Sequence, residues 1–118
     1  MEKFNSLRNL FYFINNSLEN EWVYVNLDEW LKNPLKCYFY VIPETEVDEM
    51  PDDEVYESEE GPFLPISLRD LNLSPWMEID TLKDVLQNLR IEDEKSFDEN
   101  LFIRGINYFR EYDDFMDA

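Results

Sequence analysis

Apolar residues return every three or four positions between residues 4 and 18, as Phe4, Leu7, Phe11, Ile14 and Leu18. That spacing predicts an amphipathic helix with one buried stripe, weakened at its end by Asn15, Asn16 and Ser17. The period then changes. "WVYVNL" (22–27) is short, β-branched and aromatic, which predicts a strand. In "LDEWLKNP", Asp28 is placed to cap a single helical turn that carries Trp30 and Leu31 and stops at Pro34. "KCYFYVI" (36–42) gives the strongest strand signal, because Cys37, Phe39 and Val41 alternate with Tyr38, Tyr40 and Ile42. Both faces are apolar or aromatic, so this strand is expected in the middle of a sheet, covered on both sides, with Pro43 ending it.

The next stretch, "ETEVDEMPDDEVYESEE" (44–60), holds ten carboxylates in seventeen residues and no lysine or arginine. Asp52 and Asp53 after Pro51 predict a turn, and "EVYES" predicts a strand at a sheet edge. "GPFLPISL" carries two prolines and reads as an irregular or edge segment, and in "NLSPWMEI" Pro75 forces Ser74 to be extended. Asp80 is the expected N-cap of a helix over 81–90 with Leu82, Val85, Leu86 and Leu89 on its apolar face. Ser96 and Glu99 fit a capping box that opens a last helix. Phe102, Ile106 and Phe109 share one face of it, and Leu101, Tyr108 and Tyr112 the adjacent one. Gly105 inside that helix costs about 1 kcal/mol against alanine, which points to a close approach by a neighbouring element. The order of helix, strands, acidic segment and two helices predicts an α+β fold. A small, mainly antiparallel sheet would pack with an N-terminal helix and two C-terminal helices, a mostly helical fold being the structural alternative.

Composition supports a packed core in spite of the charge. The chain has 118 residues, the size of one domain, with 44% apolar and 16% aromatic residues. A disordered chain is poor in such side chains. Segment 44–60 is expected within that single domain as a mobile loop or an edge hairpin. The single cysteine, Cys37, excludes an internal disulfide and fits a reducing compartment. "MEKFNSLRNLFYFINN" lacks the basic region and long apolar block of a signal peptide, and no segment has the roughly 18 apolar residues of a membrane span. The expected location is the cytoplasm.

Catalytic chemistry is scarce. There is no histidine, so the commonest general base, the usual catalytic triad and most zinc sites are missing. Cys37 lies in an apolar strand pattern, where a thiol is core rather than nucleophile. Two glycines, Gly61 and Gly105, cannot build a phosphate loop. "DDEVYESEE" lacks the glycine and the ligand spacing of a calcium loop. The expectation is a protein that is not an enzyme and has no catalytic residue, cofactor or metal site.

Net charge supplies the positive clue. Twenty-eight acids against ten bases give −18. That field opposes binding to nucleic acid or an anionic membrane and favours capture of a basic protein. The acid run is either a solvated segment or a binding surface, with Val47, Met50, Val55 and Tyr56 as apolar anchors among the charges. On the second reading the contacts are Asp48, Glu49, Asp52, Asp53, Glu54, Tyr56 and Glu57, with Asp113 and Asp114 of the terminal "EYDDFMDA" as a second patch.

In its size, acidity and aromatic content, and in "EWVYV", "LDEWLKNP", "IDTLKDVLQNL" and "LFIRGINYFREYDDFM", the chain resembles the small acidic immunity proteins of bacterial contact-dependent growth inhibition and other polymorphic toxin systems. The resemblance implies a cytoplasmic protein that binds a cognate toxin domain and blocks its active or substrate-binding site. Many such toxins are nucleases with basic clefts. No functional residue is carried over from it. The rival expectations are an acidic nucleic-acid mimic that inhibits a DNA- or RNA-binding defence protein, and a non-catalytic adaptor.

Overall fold

Two hydrophobic layers lie on opposite faces of one four-stranded antiparallel sheet. A computed structural model describes residues 1–116. The strands are β1 (Glu2–Phe4), β2 (Trp22–Val25), β3 (Phe39–Val41) and β6 (Ser74–Glu78), in the order β1-β3-β2-β6. A two-stranded hairpin, β4 (Val55–Glu57) with β5 (Phe63–Pro65), stands apart from this sheet. The helices are α1 (Leu7–Asn16), α2 (Leu27–Lys32), α3 (Glu44–Asp48), α4 (Ile79–Asn88) and α5 (Glu99–Tyr112). The architecture is α+β, with an N-terminal helix and two C-terminal helices.

Strand alternation divides the side chains between the layers. Val23, Val25, Phe39 and Val41 enter the main core with Leu10, Phe11 and Ile14 of α1, Leu82 and Leu86 of α4, and Phe102 and Ile106 of α5. Tyr24, Tyr40 and Ile42 point to the other face and meet Val47, Leu64, Leu68 and Leu73. β3 is therefore an interior strand covered on both sides, as its sequence predicts.

A bulge in β6 reconciles that strand with both layers. Val23 pairs with Met77 but Tyr24 with Pro75, so Trp76 is an extra residue. Trp76 and Met77 both enter the main core, while Pro75 and Glu78 stay on the second face opposite Tyr24 and Trp22. Trp76 meets Trp30 at 4.8 Å and Phe39 at 5.2 Å between ring centroids. β6 is an edge strand, where the missing N–H of Pro75 is tolerated.

Several boundaries differ from the sequence expectation, each for a local reason. Phe4 belongs to β1, because residues 2–4 pair with β3, and α1 starts behind Ser6, whose Oγ accepts from Asn9 N at 3.2 Å. α1 ends at Asn16, so Leu18 leaves the helical stripe and is 99% exposed. Asn26, not Asp28, caps α2, accepting from Glu29 N at 3.1 Å. α4 starts at Ile79 and Asp80 does not cap it; instead Asn20 Oδ1 accepts from Asp80 N at 3.0 Å. Asp98 caps α5, accepting from Leu101 N at 3.0 Å, because Ser96 is held in the preceding turn by Glu92, Asp93 and its own N–H to Asp93 Oδ1. Gly105 is where α4 touches α5: a Cβ there would lie 2.7 Å from Leu89 Cδ1 and 3.1 Å from Val85 Cγ1.

Segment 44–60 has regular structure for most of its length. It is α3, a 3-10 turn at Asp52–Glu54, and β4. Val47, Val55 and Tyr56 point inward and fasten it to the second layer. Val47 is buried there, whereas Val55 and Tyr56 are half-buried and pack against the layer with part of their surface. Asp117, one of the acids of the C-terminal run, lies outside the described residues. Among the described residues no helix is long and apolar enough to cross a membrane.

Candidate binding groove

Alternation in β2 places Trp22 and Tyr24 on the second face, two residues apart and pointing the same way. With Ile42, Pro75 and Glu78 they floor a groove of about 610 Å³. That lies within the roughly 300–1,000 Å³ usual for ligand sites. One wall is α3, where Glu44 and Asp48 stand four residues apart on the same helix face beside Val47. Pro62 and Phe63 of the hairpin line it as well, as do Asn20 and Glu21. Trp22 is 43% and Phe63 55% exposed, so two large aromatic surfaces face solvent at the groove.

Four carboxylates line this space, Glu21, Glu44, Asp48 and Glu78, and no lysine or arginine does. Among the described residues none of the four forms an ion pair; the ion pair present joins the α-amino group of Met1 to Glu46. Glu78 is held in place by Asn20, whose Nδ2 donates to Glu78 Oε2 at 2.8 Å. The Ile79 N–H donates to the Glu21 carbonyl at 2.9 Å, which locks the two floor segments together. The phenol of Tyr24 reports the resulting field. Burial raises its pKa first, and the charges of Glu44 and Glu21 raise it further. Tyr24 is 7% exposed and lines the groove, and its hydroxyl bonds no protein group among the described residues.

The sequence-derived contact residues divide into four places. Asp48 is in the groove. Glu49, Asp52, Asp53 and Glu54 are exposed on the turn that follows α3. Tyr56 and Glu57 line a smaller hollow of about 240 Å³ with Glu59, Glu60 and Arg69. Tyr56 is half-buried there, with the Arg69 guanidinium 5.9 Å from its ring centroid. Burial raises its phenol pKa, Arg69 opposes that rise and Glu60 adds to it. Asp113 and Asp114 follow α5, in the layer on the other face of the sheet. The Asp113 N–H donates to the Phe109 carbonyl at 2.8 Å and Asp114 Oδ1 accepts from Phe115 N at 2.8 Å. They do not join the acids of 44–60 in one patch.

Sequence reasoning missed Glu21, Trp22, Tyr24, Glu44, Phe63 and Glu78 as a group. The alternation of Trp22 and Tyr24 was the available signal, but Glu44, Phe63 and Glu78 come from three other segments. Among the described residues no three or more Asp, Glu or Cys side chains converge closely enough to hold a metal ion. Cys37 is fully buried, and burial together with the charge of Glu29 pushes its thiol pKa up to about 12, far from that of a reactive thiolate. The arrangement offers fixed negative charge beside exposed aromatic surface. No protein-family model, no curated protein and no solved structure matches the chain.

Proposed function

We propose that this chain is an immunity protein. It binds a toxin domain with a basic substrate-binding cleft, a nuclease by this reading, and occludes that cleft in the cytoplasm. It acts as a binding protein without a catalytic step, and it contacts neither nucleic acid nor membrane directly. The observation that carries the reading is the groove, where four carboxylates without counter-ions stand beside exposed Trp22 and Phe63. Carboxylates on ordered elements suit paired contacts with Arg and Lys, the strongest being bidentate Arg pairs. The net charge of −18 adds long-range steering toward such a partner.

The test pairs this chain with the toxin domain encoded beside its own reading frame. Co-expression is expected to restore growth, and the purified chain to block nucleic-acid cleavage at equimolar ratio. A neighbouring toxin domain that cleaves unchanged in the presence of the folded chain overturns the proposal, as does the lack of any such domain. Inhibition of an unrelated DNA-binding defence protein instead would assign the chain to nucleic-acid mimicry.

A further inference from the structure

We propose that the groove seats an arginine side chain carried on a protruding segment of the basic protein partner. This rests on the reading of the chain as a binder of a basic protein, and it assigns the contact to a surface that acid density alone does not mark. The densest exposed acids, Asp52, Asp53 and Glu54, lie outside the groove and serve to steer the partner.

Three independent features specify a planar cation. Trp22 and Phe63 present exposed ring surface, on which a guanidinium stacks well. Glu44 and Asp48 on the α3 wall and Glu78 on the floor supply acceptors in one space, matched to a fork of five N–H donors. Tyr24, more than nine-tenths buried, lines the same space, and its hydroxyl has no protein partner among the described residues. It accepts from a guanidinium N–H while staying protonated, since burial first, and the charges of Glu44 and Glu21 after it, favour the neutral phenol. An ammonium satisfies the charge but neither the stacking nor the forked geometry. The floor is also fixed before binding, through the Asn20 bridge between Glu78 and the first turn of α4. Little ordering is therefore left to oppose association.

The experiment titrates the whole chain with an end-blocked tetra-arginine peptide at physiological salt, followed by amide and indole nuclear magnetic resonance shifts. Trp22 is a clean reporter, because Trp30 and Trp76 are only 1% and 3% exposed. Shifts are expected at Trp22, Tyr24, Phe63 and along α3. The matching citrulline peptide, equal in shape but neutral, is expected to bind at least about tenfold more weakly. Phe63→Ala is expected to weaken arginine binding about fivefold, the equivalent of one exposed cation–π contact. Neutralising the groove by Glu44→Gln, Asp48→Asn and Glu78→Gln is expected to weaken it about tenfold. The equally charged control, Asp52→Asn, Asp53→Asn and Glu54→Gln, is expected to cost about twofold, the size of a screened field effect.

Equal losses in the two triple variants would overturn the assignment, as would equal affinity for the citrulline peptide or shifts confined to the Tyr56–Glu60 hollow. Tetra-lysine binding as tightly as tetra-arginine would overturn the specificity for a planar cation. No toxin is present in this titration. Its failure beside intact neutralisation therefore removes only the groove assignment, and the converse result removes only the immunity reading.

Discussion

Raising the pH should destabilise this protein through one buried thiol. Cys37 is fully buried, with its Sγ 3.5 Å from the Tyr38 carbonyl, and its pKa rises from 9.0 to about 12. Desolvation is the main cause and the charge of Glu29 the second. In the unfolded chain the thiol ionises from about pH 9, whereas in the folded chain it stays protonated until about pH 12. Throughout that window the folded state binds more protons, so stability falls as pH rises, by about 1.4 kcal/mol per unit. At pH 10.5 the accumulated loss is about 2 kcal/mol, a large share of the roughly 5–15 kcal/mol of a typical domain. Tyr24 and Tyr56, both raised from 10.0, act in the same direction above pH 10. Cys37→Ala separates the thiol from the tyrosines. The variant should lose about 1–2 kcal/mol at pH 7 from the missing sulfur. Its stability should then fall less steeply, so that the two proteins converge near pH 10.5. Urea unfolding followed by circular dichroism at half-unit steps from pH 7 to 11, with reductant present, measures both curves. Parallel curves between pH 9 and 11 would refute the reasoning, and so would labelling of the native thiol at pH 8 at the rate of a free thiol.

Other perturbations probe the packing and the charge. Gly105→Val should destabilise by about 2–3 kcal/mol because its Cβ meets Leu89 and Val85. Leu89→Ala should cost less in that background than alone, a coupling that a double-mutant cycle of urea midpoints detects. Leu18→Ser should leave the melting temperature unchanged, whereas Leu10→Ala, fully buried in α1, should cost about 2–5 kcal/mol. Trp76→Phe should be nearly neutral in chemical unfolding, since it removes a buried indole N–H without an acceptor along with some packing. Neutralising Asp52, Asp53 and Glu54 should raise the melting temperature at low ionic strength, and the gain should vanish in about 1 M salt, where the Debye length is about 3 Å.

The parts of this fold legible in the sequence are those fixed by local periodicity. "KCYFYVI" revealed an interior strand because its two faces are both apolar, and the two layers are indeed built on Phe39 and Val41 against Tyr40 and Ile42. The apolar face of α4 and the close approach at Gly105 were legible for the same reason. β1 was not, since residues 2–4 are strand only through pairing with β3. These caps moved by two residues because competing side chains sit nearby: Asn26 ahead of Asp28, Asp98 behind Ser96. Of the site, Asp48 was legible as an acid in a dense run. The aromatic floor beside it, Trp22 and Tyr24, lies 26 and 24 residues earlier in the chain, and no periodicity links those positions.

The β6 bulge is the step that gives this sequence its groove. Without an extra residue, strict alternation would put Trp76 on the same face as Glu78, and the main core would lose one ring of its tilted and edge-on Trp30–Phe39–Trp76 cluster. With it, Trp76 and Met77 both enter the core, and Pro75 and Glu78 both face the groove. The inward residues of 44–60 act in the same way. Val47, packed on Ile42 and Tyr24 in the second layer, holds α3 so that Glu44 and Asp48 face Trp22 and Tyr24 across the floor. Such a segment costs little ordering entropy when a partner arrives, unlike a charged run that is disordered alone. The acids supply the field, but the apolar residues between them decide where that field is concentrated.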